Sequence, residues 1–143
     1  MSWNKLGDPG AKIIARSLTY NKTLIHLNLS SNGICKYCWN NHILATTGLW
    51  SIFDALFKNN TLISLDISSS ERIRRNKLEM YGVNILKNLM SKTYILSYLN
   101  LSLIGLGNGG IDLLWKGLID NQTILSLLIQ NNELTYKWIP SIK

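Results

Sequence analysis

The chain has 143 residues, of which 46% are apolar and 16% charged, so it can bury a real core and is not composed like a disordered segment. Asn, Lys, Ser and Asp interrupt every apolar run, and the opening Met1-Ser2-Trp3-Asn4-Lys5 lacks the apolar stretch of a secretory signal, so neither a membrane partner nor secretion is expected. Two cysteines are too few for a disulfide framework, which points to the reducing cytoplasm, and a formal net charge of +7 favours acidic partners over basic ones.

In chain order, the first predicted element is a helix over 10–20. Gly10, Ile14 and Leu18 recur every four residues and so share one helix face. Asp8-Pro9 reads as its N-cap and first helical position. A strand follows, centred on Leu27, because Leu27-Asn28-Leu29 alternates apolar and polar. The same sequence of elements then returns. Gly48, Ile52 and Leu56 predict a helix over 48–58, with Thr47 as a candidate cap, and Leu65-Asp66-Ile67 predicts the second strand. Gly82, Leu86 and Met90 predict a helix over 80–91, followed by a strand at Leu99. Gly110, Leu114 and Leu118 predict a helix over 110–120, followed by a strand at Leu127.

Each strand sits in an L-x-x-L-x-L frame at fixed distances from its glycine. The four copies are Leu24, Leu27, Leu29; Leu62, Leu65, Ile67; Leu96, Leu99, Leu101; and Ile124, Leu127, Ile129. No such segment can bury its apolar face alone, but stacked copies can, so the repeat predicts an α/β solenoid. Alternating strand and helix implies parallel strands with right-handed crossovers.

The run Thr23-Leu24-Ile25-His26-Leu27-Asn28-Leu29-Ser30-Ser31-Asn32-Gly33-Ile34 resembles the leucine-rich repeat family, in its ribonuclease-inhibitor-like subclass. Echoes stand at Thr61–Ile67 and Thr123–Leu134. The resemblance implies a right-handed horseshoe of about four parallel strands with helices on its convex side, forming one domain over 1–143. The spacing Leu99 to Leu127 is 28 residues, the length usual in this subclass, whereas Leu27 to Leu65 is 38 and Leu65 to Leu99 is 34. The excess falls in insertions near 35–46 and 69–75, each between a strand and the next helix, where it should bulge from one rim. In the family an asparagine after the strand turns its side chain onto loop backbone. Asn32 and Asn132 fit that slot, Ser70 and Ile104 do not, and Asn76 is the candidate for the second repeat.

Candidate chemistry is sparse. Cys35, Cys38 and His42 have metal-like spacing but supply three of the four ligands a structural zinc needs, so no metal is expected. The basic run Arg72-Ile73-Arg74-Arg75-Asn76-Lys77 lacks an aromatic platform and is flanked by Glu71 and Glu79. It reads as a solvated loop, with at most weak, sequence-independent nucleic-acid binding. Asn21-Lys22-Thr23, Asn59-Asn60-Thr61 and Asn121-Gln122-Thr123 match glycosylation acceptors, but they recur with the repeat and read as turn residues. Trp50 and Trp115 fall in helices, where partial burial is expected, while Trp39 in the first insertion is the tryptophan expected to be exposed. No catalytic set and no phosphate-binding glycine loop is present, so neither an enzyme nor a cofactor is expected.

The resemblance implies a protein-binding module. With Leu27 and Leu29 facing the core, His26, Asn28 and Ser30 face outward, and parallel pairing aligns them with their counterparts in the later strands. The predicted partner surface is His26, Asn28, Ser64, Asp66, Tyr98, Asn100, Ser126 and Leu128, with Ser68, Ser102 and Gln130 beyond it. Tyr98 is the expected chief contact and Leu128 the next, because binding energy concentrates in large side chains. Ran GTPase-activating proteins resemble the same subclass, which makes regulation of a small GTPase the alternative. Ribonuclease inhibition itself does not suit a basic chain. The last strand has no successor in sequence, so this open end is expected to meet another domain, a second copy, or the tail over 136–142 with Trp138 packed on the last repeat.

Overall fold

The computed structural model describes residues 1–34, 48–70 and 76–136. Helix and strand alternate along them: α1 (Gly7–Tyr20), β1 (His26–Asn28), α2 (Gly48–Leu56), β2 (Ser64–Asp66), α3 (Met80–Met90), β3 (Tyr98–Asn100), α4 (Gly107–Leu118) and β4 (Ser126–Leu128). The four strands form one parallel sheet in the order β1-β2-β3-β4. Each strand centres where the leucine frame predicts, with Leu27, Leu65, Leu99 and Leu127 in register. The architecture is α/β, with the helices covering one face of the sheet. No helix among the described residues is long and apolar enough to cross a membrane.

The core lies between sheet and helices. Leu27 and Leu29, Leu65 and Ile67, and Leu99 and Leu101 are buried in it, with Ile52, Phe53, Leu86, Met90 and Leu114 entering from the helices. Burial fades at the ends of the stack, where a frame lacks a neighbour on one side. Leu127 and Ile129 are half-buried, Ile124 likewise, and Leu24 is exposed despite its place in the frame. Two helical glycines mark close approach between helices. A Cβ on Gly48 would lie 2.4 Å from the Cβ of Ala11, and one on Gly117 would lie 2.7 Å from the Lys87 carbonyl oxygen.

Helix starts differ from expectation in one instructive way. Asp8 does not cap α1, which begins at Gly7 after Leu6 and has no side-chain cap. Instead the Asp8 carboxylate accepts the backbone N–H of Gly48, the first residue of α2. It therefore caps the neighbouring helix, where an acid also suits the positive end of the helix dipole. Thr47, the expected cap, lies outside the described residues. α4 starts at Gly107, three residues before Gly110.

Buried asparagines tie successive repeats together. Asn76 accepts the N–H groups of Asn32 (3.2 Å) and Ile34 (3.1 Å), and its amide donates to the carbonyls of Leu29 (2.9 Å), Ile67 (3.0 Å) and Ser68 (3.3 Å). Asn132 does the same between the third and fourth repeats, accepting from Ile104, Gly105 and Leu106 and donating to Leu101 and Ile129. Asn32 reaches back to Asn4 and Met1. In the third repeat the slot holds Ile104, which is buried and apolar, so that step lacks the polar clamp. A second set works at the opposite turns: Asn21, Asn59 and Asn121 each accept the two backbone N–H groups that lead into a strand. These are the asparagines of the three glycosylation-like triplets, and their side chains are engaged in holding the turns.

Candidate functional site

The face of the sheet turned away from the helices is open. Register aligns His26, Ser64, Tyr98 and Ser126 in one row, and Asn28, Asp66, Asn100 and Leu128 in the next. His26 and Asn28 are exposed and the other six half-buried, so all eight residues predicted for the partner surface lie together on this face. Tyr98 stands between Ser64 and Ser126, both with small side chains. Leu128 pairs with Asn100 in the last strand.

The second row is internally hydrogen-bonded. Asp66 Oδ2 accepts the side-chain amides of Asn28 (3.4 Å) and Asn100 (3.3 Å). Its Oδ1 accepts both the backbone N–H (2.9 Å) and the hydroxyl (2.6 Å) of Ser68. Asn28 holds Ser30 in the same way, at 2.9 and 2.7 Å, and Asn100 accepts the Ser102 N–H at 3.1 Å. Each Asn or Asp therefore turns the chain out of its strand through the backbone N–H two residues on. Ser30 and Ser68 are drawn down by these bonds and are buried, against the expectation that they project outward. Ser102 keeps the expected position, and its hydroxyl donates to Gln130 Oε1 at 2.6 Å.

This reduces what the second row offers. The oxygens of Asn28 and Asp66 are committed within the protein. The first row, by contrast, presents an imidazole, two hydroxyls and a phenol. Such a face can recognise a partner by shape and hydrogen bonding. The one carboxylate in it, Asp66, already accepts four hydrogen bonds.

The remaining candidates are scattered. Cys35, Cys38, His42 and Trp39 lie outside the described residues, as do 71–75 of the basic run and 137–143 of the tail. Of the basic run, Asn76 is buried in the clamp described above. No group of three or more metal-binding side chains occurs among the described residues. Trp50 is half-buried, while Trp115 is exposed on α4, more so than its helical position suggested.

A groove on the helix side has no signature in the repeat pattern. It has a volume of about 600 Å³ and runs between α1, α2 and α3, lined by Lys12, Arg16, Trp50, Asp54, Tyr81 and Ile85. The rings of Trp50 and Tyr81 meet there with centroids 4.3 Å apart at 43°. These two residues occupy different offsets in different repeats, so only the stacking of helices brings them together. No protein-family model matches the chain, and no curated protein is significantly similar to it.

Proposed function

We propose that the chain is a leucine-rich-repeat solenoid of the ribonuclease-inhibitor-like subclass, and that it serves as a non-enzymatic module binding another protein on its open strand face. Spacing supports the curved shape. Adjacent strands sit ~4.8 Å apart and packed helices ~10 Å apart, so stacking the two in one layer bends the array with the strands inside. The observation that carries the reading is the in-register row His26, Ser64, Tyr98 and Ser126, with Leu128 beside it, on a face that no element covers among the described residues. Tyr98 and Leu128 provide the anchors, and the small polar residues around them let a partner approach closely. The net charge of +7 favours an acidic partner in the cytoplasm.

The test is affinity capture from native extract with the full chain and with Tyr98→Ala, Leu128→Ala. Both side chains are only half-buried, so the double variant should fold. Loss of an anchor typically weakens binding by tenfold or more. A specific partner that the double variant no longer retains, at unchanged melting temperature, is the expected outcome. A partner held equally by both proteins would place binding elsewhere.

A further inference from the structure

The four turns that lead from each helix into the next strand form a second surface, on one rim of the array. They comprise residues 20–25, 57–63, 91–97 and 119–125. They are stacked rigidly. The N–H of Ile63 donates to the Ile25 carbonyl, that of Ser97 to Ile63, and that of Leu125 to Ser97, at 2.8, 2.9 and 2.9 Å. The Asn59 amide reaches the Asn21 carbonyl at 3.0 Å and the Thr123 hydroxyl reaches that of Thr93 at 3.2 Å.

This rim is unusually apolar for an exposed surface. Tyr20, Ile25, Phe57, Ile63 and Ile119 all project from it, and Tyr94 and Leu125 are 73% and 86% exposed. Contiguous exposed patches of this kind mark interaction sites. The charged residues in the four turns are Lys22, Lys58, Lys92 and Asp120, all exposed. The rim is thus apolar and basic together. Its apolar side chains protrude, and three grooves among the described residues lie elsewhere, between α1, α2 and α3, at the free side of β4, and beside Lys77 and Leu106.

We propose that this rim docks on an anionic membrane surface. A protein partner would need a groove matched to a row of protruding side chains, whereas the interfacial region of a bilayer receives such a row without one. Tyrosines suit that depth, with the ring among acyl chains and the hydroxyl at the headgroups. Lysines at the edge extend their ammonium groups to anionic lipid while their stems stay apolar. Four turns cover ~14 Å on the strand side and ~30 Å on the helix side, enough for every one to reach a flat surface. The expectation that no membrane is involved rested on the lack of a spanning run, which peripheral docking does not need.

The experiment is co-sedimentation of the full chain with phosphatidylcholine vesicles, with and without phosphatidylserine, at low and high salt. Binding should require phosphatidylserine and weaken with salt. Replacing Lys22, Lys58 and Lys92 by Gln should weaken it about fivefold per lysine. Tyr94→Ser, Leu125→Ser should weaken it about tenfold or more, with the melting temperature unchanged because both side chains are exposed. Failure of the wild-type chain to bind anionic vesicles at low salt would overturn the proposal. So would binding that ignores the Tyr94 and Leu125 substitutions, since that would be adsorption by charge alone. A dimer or an acidic protein complex that the same double variant abolishes, without vesicle binding, would assign the rim to a protein interface instead.

Discussion

Asn76→Ala should be among the most damaging single substitutions in the protein. Asn76 is 1% exposed, and the two residues whose N–H groups it accepts, Asn32 and Ile34, are themselves buried. Removing the amide leaves both N–H groups without that acceptor. A buried donor left unsatisfied costs about 1–3 kcal/mol. The carbonyls of Leu29 and Ile67 lose a donor as well, while that of Ser68 keeps the N–H of Ser31. Taking the low end for the two donors and a smaller amount for the carbonyls gives a loss of about 3 kcal/mol. For a domain of this size that corresponds to a fall in melting temperature of about 10 °C. Urea unfolding followed by circular dichroism would measure it, with Asn84→Ala as control. Asn84 is exposed and, among the described residues, its side chain bonds to the Met80 carbonyl of its own helix alone, so its removal should change stability by no more than about 0.5 kcal/mol. A loss below about 1 kcal/mol for Asn76→Ala would refute the idea that this side chain clamps the first and second repeats.

Other outcomes follow from the same geometry. Gly117→Ala should destabilise by about 1–3 kcal/mol despite alanine's better helix propensity, because its Cβ would lie 2.7 Å from the Lys87 carbonyl oxygen. Gly109→Ala, whose Cβ would meet only the flexible end of Met80 at 3.6 Å, should be neutral or stabilise by up to about 1 kcal/mol, and thermal melts of the pair would separate close approach from propensity. Asp8→Ala should cost about 0.5–2 kcal/mol through loss of the α2 cap, seen as faster amide exchange at the start of α2 with α1 unaffected. Glu133→Gly should stabilise by about 0.5–1 kcal/mol in chemical denaturation, because Glu133 sits at φ +61° where the equivalent positions are Gly33 and Gly105.

Much of the fold was legible because the repeat forces it. A period-four apolar stripe after each glycine can only be a helix face, and an alternating triplet can only be a half-exposed strand. Stacking then fixes parallel pairing, and Leu27, Leu65, Leu99 and Leu127 fall in register. The misreadings arose where the partner lies in another repeat. Asp8 has the local look of an N-cap, but its acceptor role is decided by Gly48, forty residues on. Leu24 has the frame position of a core residue, yet it lies in the first frame of the stack and is exposed. Ser30 and Ser68 alternate as outward residues should. The Asx residue two positions before each marks a turn but not the burial, because Asn100-Leu101-Ser102 carries the same signal and Ser102 stays half-buried. Part of the apolar rim was legible, since Ile25, Ile63 and Leu125 each follow the first apolar residue of their frame and Phe57 and Ile119 share a position, whereas Tyr20 and Tyr94 share none and join the surface only when the turns stack.

Recognition of a partner on the open strand face, as proposed, would leave its footprint there. Hydrogen–deuterium exchange of the full chain, alone and with its captured partner, would map that footprint. Added protection should be confined to the strands and the turns just after them, at 26–30, 64–68, 98–102 and 126–130. Protection confined to α1–α4 or to the rim at 20–25, 57–63, 91–97 and 119–125, with the strands unchanged, would contradict it.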